Sequence, residues 1–206
     1  MIVLKSSREI ERMRASCQIV AEALALVADH VKPGVSTLEL EEIALKFTSK
    51  CNAKPAFKGY HNYPSALCCS PNQQVVHGIP TREPLKSGDI LSLDYGVLYG
   101  GYYGDAATTV PVGPVDERTL SLLAVTEQAL YKGIEKAIPG NRLYDISHAI
   151  QSHVEVRGFS VVRDFVGHGI GKELHEDPQI PNYGKPSQGV KLQCGMVFAI
   201  EPMINQ

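Results

Sequence analysis

The 206-residue chain has no tryptophan, and its aromatic residues come to only 7%. Charge of either sign is nearly balanced: 20 Lys and Arg against 22 Asp and Glu leave a net charge of −2. That balance gives no basic surface for nucleic acid or anionic lipid, so neither partner is expected. No apolar run reaches the ~20 residues needed to cross a bilayer. The N-terminal stretch from Met1 to Glu9 lacks the apolar core of a secretory signal. Cysteine is sparse, with five residues, an adjacent pair at Cys68 and Cys69, and no Cys-x-x-Cys spacing. An odd count in that arrangement suits free thiols in a reducing cytoplasm rather than a disulfide framework.

What is present suits one globular domain: 44% apolar and 20% charged residues. Ser6-x-x-Glu9 is a capping-box pattern opening the apolar series Ile10, Met13, Cys17, Val20, Leu24, Val27 and Val31. The series predicts a long amphipathic helix ending at Pro33-Gly34. Ser36-x-x-Glu39 opens a second, with Leu40, Ile43, Ala44 and Phe47. Residues 52–88 read as loop and strand. After Gly113 the pattern returns. A helix over 117–138 carries Leu120, Leu123, Ala124, Leu130, Ile134 and Ile138 and ends at Pro139-Gly140. Another carries Leu143, Ile146, Ala149, Ile150 and Val154, and Phe159–Val166 reads as a strand.

The stretch from Gly88 to Asp105 organises the rest. Ile90, Leu91, Leu93, Tyr95 and Val97 suit a strand, and Gly100 and Gly101 suit a tight reversal. With the turn centred between Tyr99 and Gly100, Asp94 faces Asp105, at a Cβ separation of roughly 5 Å. Two carboxylates that close repel unless positive charge lies between them. A divalent cation, or a pair, is the simplest remedy; two solvated acids on an exposed hairpin are the bland alternative.

The halves are related. Ala23-Leu24 and Pro33-Gly34 match Ala129-Leu130 and Pro139-Gly140 at an offset of 106. The decapeptide Leu85–Asp94 matches Leu192–Glu201 at 107. The period is far longer than solenoid units of about 20–50 residues, so it marks a duplicated α/β half. The halves run over about 1–113 and 114–206 of a single domain. The duplication puts Glu201 where Asp94 sits. The first half continues to a return strand bearing Asp105, whereas the sequence stops at Gln206, five residues after Glu201. The expectation is an incomplete C-terminal end with the last strands missing.

Three histidines stand among glycines and prolines: His77 in Val75–Pro80, His168 in Gly167–Gly171, and His175 before Glu176-Asp177-Pro178. Flanking glycines let a ligand or substrate approach the backbone. His168 is expected in a glycine-rich turn following the 159–166 strand. His30, His148 and His153 lie in or beside helices and read as structural.

Together, Asp94, Asp105, Gly167-His168-Gly169-Ile170-Gly171, His175-Glu176-Asp177-Pro178 and Ile200-Glu201-Pro202-Met203 resemble the signature of type I methionine aminopeptidases, in the short form without a zinc-finger extension. The resemblance runs from the first helix to Gln206. It implies an α+β pita-bread fold: duplicated halves forming a curved, mainly antiparallel sheet covered by helices. It further implies metal-dependent removal of the initiator methionine when the next residue is small. The ligands it implies are Asp94, Asp105, His168 and Glu201, around two divalent ions (Co, Mn, Fe or Zn). Glu201 doubles as proton shuttle, and His77 and His175 hold the peptide and stabilise developing charge. A substrate pocket is implied at Phe57, Tyr60, His61, Tyr63, Cys68 and Leu174; Phe57 and Leu174 depart from residues common in the family. A soft thiol and aromatic edges suit methionine sulfur.

The implied substrates are nascent polypeptide N-termini, with the ribosome a candidate partner, and the complete protein is expected to be monomeric. A further family glutamate lies beyond residue 206, so impaired turnover is expected of the 206-residue form. Two rivals share the ligand set: an Xaa-Pro aminopeptidase or prolidase of the same fold, and a pita-bread module that binds without catalysis.

Overall fold

Two amphipathic helices open the chain. In the computed structural model, which describes Met1–Gln206 throughout, they are α1 (Ser7–Ala28) and α2 (Thr37–Lys50). α1 buries Met13, Val20, Ala23, Leu24 and Val27. Cys17 of the expected apolar series is exposed; the adjacent Ser16 takes the buried place instead. Ser16 fits there because its hydroxyl lies 3.1 Å and 3.0 Å from the carbonyls of Tyr99 and Tyr102. α2 starts on the expected capping box: the Ser36 N–H donates to Glu39 Oε2 at 2.8 Å, and the Glu39 N–H to Ser36 Oγ at 3.4 Å.

Residues Arg8–Asp116 and Gly171–Leu174 form one unit of the structure; Met1–Ser7, Glu117–Ile170 and His175–Gln206 form the other. In the first, β3 (Ile90–Tyr99) pairs antiparallel with β4 (Tyr102–Pro111) along one edge. Along its other edge it pairs with β1 (Lys54–Pro55) and β2 (Leu67–Pro71). Leu91, Leu93, Tyr95 and Val97 point into a core with Val20, Leu24, Val27, Leu40 and Ala44. The alternate residues Ser92, Asp94 and Gly96 therefore share the opposite face.

The hairpin register corrects the expected one. Gly100 and Gly101 have φ of +60° and +84°, as a two-residue type I′ reversal requires, so the turn centres between them. Asp94 then pairs with Ala107, and Asp105 with Gly96. The aspartates do not face each other. They stay on one face as diagonal neighbours, for which typical separations are ~7–8 Å.

The second unit contains α3 (Glu117–Ile134), α4 (Leu143–Glu155), β5 (Ser160–Val161), β6 (Gly167–Gly169), β7 (Glu176–Ile180), β8 (Phe198–Ala199) and β9 (Ile204–Asn205). β6 lies between β7 and β8, and β5 pairs with β9. α4 buries Leu143, Ile146, Ile150 and Val154. α3 departs from expectation: it buries Leu122, Val125, Ala129 and Gly133, while Leu120, Ile134 and Ile138 are exposed. A Cβ at Gly133 would sit 3.0 Å from Ile150 Cδ1, so the buried face runs through small residues that admit α4. Counting large apolar residues picks the wrong face. Nor is 159–166 one strand: β5 holds only two residues of it, and His168 lies within β6 rather than in a turn.

Each unit repeats one clamp. The Gly34 N–H donates to Leu85 O at 2.8 Å, and the Gly140 N–H to Leu192 O at 3.1 Å. Leu85 and Leu192 donate back to Val35 O and Asn141 O, both at 2.8 Å. Isolated bridges join Ser36 to Pro84 and Arg142 to Lys191. The Arg142 N–H donates to Asp145 Oδ2 at 2.7 Å, as the Ser36 N–H does to Glu39. Ser36→Ala should therefore lower stability by about 1 kcal/mol, read as a lower urea midpoint at unchanged m-value; an unchanged midpoint would remove the cap from this account.

Candidate active site

In the Arg8–Asp116 unit, Asp94 and Asp105 are half-buried on the sheet face opposite the core. Cys68 of β2 pairs directly with Asp94. Burial, then Asp94, pushes the Cys68 thiol up to about 12; the Tyr63 hydroxyl acts against this, and Asp105 adds to it. Burial and then Asp105 also raise Cys17. Gly96, the partner of Asp105, leaves room for an aromatic ring: a Cβ there would lie 2.7 Å from Phe57 Cε1. The buried Phe57 ring thus rests on the strand position between the two acids. An apolar surface and a soft thiol border the carboxylates.

The other expected pocket residues divide. Tyr63 Oη donates to Gly78 O at 2.8 Å, and burial raises its pKa. Tyr60 is half-buried, raised by burial and then by Glu173 and Tyr103, and meets His61 edge-on at 4.4 Å. His61 is exposed. Leu174 is 2% exposed, an interior residue of this unit rather than part of an open wall. His77 is exposed, with φ of +61°, a backbone that costs a non-glycine residue about 1–2 kcal/mol. The next residue explains how that is held. Gly78 O accepts from the Cys69 N–H at 2.8 Å, and the Gly78 N–H donates to Ser70 Oγ at 3.0 Å. A Cβ at Gly78 would meet Cys69 O at 2.0 Å, so only glycine lets the His77 loop lie this close to β2.

In the other unit, His168 is buried in β6. The flanking glycines serve the neighbouring strands, not the ligand approach expected of them. A Cβ at Gly167 would lie 2.4 Å from Ala199 O, and one at Gly169 2.1 Å from Asp177 O. His168 Nδ1 lies 2.8 Å from Gly169 O, a carbonyl that can only accept, so Nδ1 carries a proton. Nε2 lies 3.1 Å from Glu201 Oε1. The Glu201 carbonyl accepts from Asn182 Nδ2 at 2.8 Å. His175 is exposed, its ring edge-on to His168 at 4.2 Å.

Within either unit no group of three or more His, Cys, Asp or Glu side chains is gathered for a metal; each presents a pair. Both pairs fit divalent cations. Asp94 and Asp105 put two carboxylates on one face, and His168 and Glu201 put an imidazole nitrogen beside a carboxylate oxygen. Oxygen with imidazole nitrogen suits Mn, Fe, Co and Zn alike. Sequence reasoning missed Gly96 and Asn182. Gly96 has a signal, a glycine inside a strand pattern that marks a close approach; the role of Asn182 has none.

Residues 11–206 match the model of metallopeptidase family M24. The chain belongs to that family. It is 52% identical to the methionine aminopeptidase of Clostridium perfringens over 205 residues, all of this chain and 82% of that protein. Against the solved methionine aminopeptidase of Thermotoga maritima, the TM-score is 0.97 at 51% identity, covering 99% of this chain and 82% of that one. Against the Pyrococcus furiosus prolidase it is 0.83 at 25% identity, covering 97% of this chain and 57% of that one. The fold of this M24 metallopeptidase is the pita-bread fold expected from the resemblance.

Burial hides the Cys68 and Cys69 thiols and raises both, which predicts that neither reacts in the folded protein. Iodoacetamide at neutral pH should label the exposed Cys194 first and reach the other two only in denaturant, read by peptide mass; native labelling of Cys68 would contradict the burial described.

Proposed function

We propose that this metallopeptidase removes the N-terminal methionine of peptides whose second residue is small. What carries the reading is similarity along the whole chain to methionine aminopeptidases, 52% against 25% for the prolidase. Asp94, Asp105, His168 and Glu201 are assigned as ligands of two divalent ions among Co, Mn, Fe and Zn. When bound, such ions supply Lewis acidity toward water and the scissile carbonyl. The protein residues do the rest. Glu201 takes the proton of the attacking water and passes it to the leaving amine. His175 and His77 donate to the peptide oxygen as negative charge develops on it, a contribution of about 3 kcal/mol per well-placed donor.

Phe57, Cys68, Tyr63, Tyr60 and His61 receive the methionine side chain, and the buried Leu174 supports them from the interior. The packing of the Phe57 ring on Gly96, beside Asp94 and Asp105, supports this: it sets an apolar wall next to the assigned ligands. Nascent polypeptide N-termini emerging from the ribosome are the expected substrates, and a cytoplasmic monomer is the expected form.

The test is release of free methionine from Met-Ala-Ser with added Mn²⁺ or Co²⁺, beside Met-Pro and Xaa-Pro peptides. Metal-dependent release from Met-Ala-Ser is expected, with Asp105→Asn lowering kcat/KM by more than about 100-fold. Preferential cleavage of Xaa-Pro peptides would favour the prolidase-like alternative. Metal-dependent turnover undiminished in Asp105→Asn would remove Asp105 from the ligand set.

A further inference from the structure

Lys5 and Glu176 form an ion pair inside the unit that carries His168, and nothing in the chemistry above uses either residue. Their side chains are only 4% and 12% exposed. Lys5 Nζ also donates to Val3 O at 3.0 Å, and the Lys5 N–H donates to Gly195 O at 2.7 Å. Gly195 has φ of +92°, and a Cβ there would come within 2.8 Å of Lys5 O. The N-terminal segment is therefore bound through its backbone at the residue whose ammonium group is buried. A buried ion pair of this kind has little freedom, because moving one partner leaves the other charge desolvated and alone.

The pair sits where position matters. Glu176 opens β7 and is the register partner of Gly169, at a point where the β6–β7 register shifts between His168 and Gly169. His168 directly precedes Gly169, and His175 directly precedes Glu176. The two rings meet edge-on at 4.2 Å across this irregularity. His175 lies just outside the strand, so the strand end that follows it sets where its ring stands.

We propose that Lys5 is a positioning residue: through its buried ion pair with Glu176 it fixes the start of β7 and so holds the His175 ring beside His168. This rests on the role given to His175 above. The neutral isostere Glu176→Gln and the truncation Lys5→Met loosen the strand end and let the ring drift. A donor to developing charge that drifts costs transition-state stabilisation, so kcat falls while KM stays.

The experiment measures Met-Ala-Ser turnover at saturating Mn²⁺ for Lys5→Met, Glu176→Gln, Lys5→Arg and His175→Ala, and for the first two combined with His175→Ala. Lys5→Met and Glu176→Gln should each lower kcat about tenfold or more with KM within about twofold. Neither should lower it further once His175 is alanine, and Lys5→Arg should retain most of kcat. A purely structural pair would give the same loss in both backgrounds, and that result overturns the proposal, as does unchanged kcat in both single variants. Should His175→Ala leave kcat intact, the role of His175 fails instead. Histidine ring resonances of the metal-free protein then decide the clamp. Glu176→Gln moving the His175 and His168 signals while sparing those of His30 and His153 sustains it; no movement sinks it.

Discussion

The approach of β7 and β8 to β6 is the constraint on which the placement of His168 depends. Carbonyl oxygens of Asp177 and Ala199 occupy the space that side chains at Gly169 and Gly167 would need. Only a strand reading Gly-His-Gly can be squeezed this way and still present one functional ring. The squeeze also buries His168, and burial makes the Nδ1 contact to Gly169 O consequential. With that nitrogen engaged, the ring has a single orientation, with Nε2 toward Glu201. The His175 ring stands edge-on to His168 at 4.2 Å, directly before the strand that this crowding holds against β6.

The aspartate pair obeys a simpler rule, strand alternation. One face of β3 supplies Leu91, Leu93, Tyr95 and Val97 to the core; the other displays Asp94. β4 returns through two positive-φ glycines and displays Asp105 on the same face. The clamp recurs in the other half of the chain. Leu85 and Leu192 are held by equivalent backbone bonds, and Asp94 and Glu201 each follow their anchor by nine residues. The duplication therefore carries chemistry as well as shape: a fixed backbone tether and a fixed distance along the chain deliver a carboxylate in each unit.

Much of this was legible in the sequence because it depends on local chemistry. The Ser36–Glu39 cap, the α4 apolar face and the offset of 106–107 residues all needed only spacing. What escaped needed knowledge of neighbours. The buried face of α3 runs through Ala129 and Gly133, chosen by the nearness of Ile150 rather than by hydrophobicity. The glycines beside His168 looked like room for a ligand and proved to be room for carbonyls. The hairpin turn moved by one residue because two consecutive glycines satisfy a type I′ turn better than Tyr99 and Gly100 can. That single step moved Asp94 from opposite Asp105 to its diagonal, though not off its face.

The slip has a consequence for charge. Directly opposed carboxylates would need neutralising at once, by one proton or one cation. Diagonal ones leave space that a thiol and an aromatic ring partly fill, and both acids add to the rise that burial chiefly gives the Cys68 thiol. In the other unit, His168 Nε2 and Glu201 Oε1 lie 3.1 Å apart, a spacing that two lone pairs hold only with positive charge associated with them. A proton on Nε2 would satisfy that pair as an imidazolium–carboxylate contact; a divalent cation satisfies it with the ring neutral. Proton and cation thus compete for the same electrons, and acid favours the proton. Since the Nδ1 contact fixes which nitrogen takes part, the competition is confined to one atom, and the strand geometry around β6 decides where that atom stands.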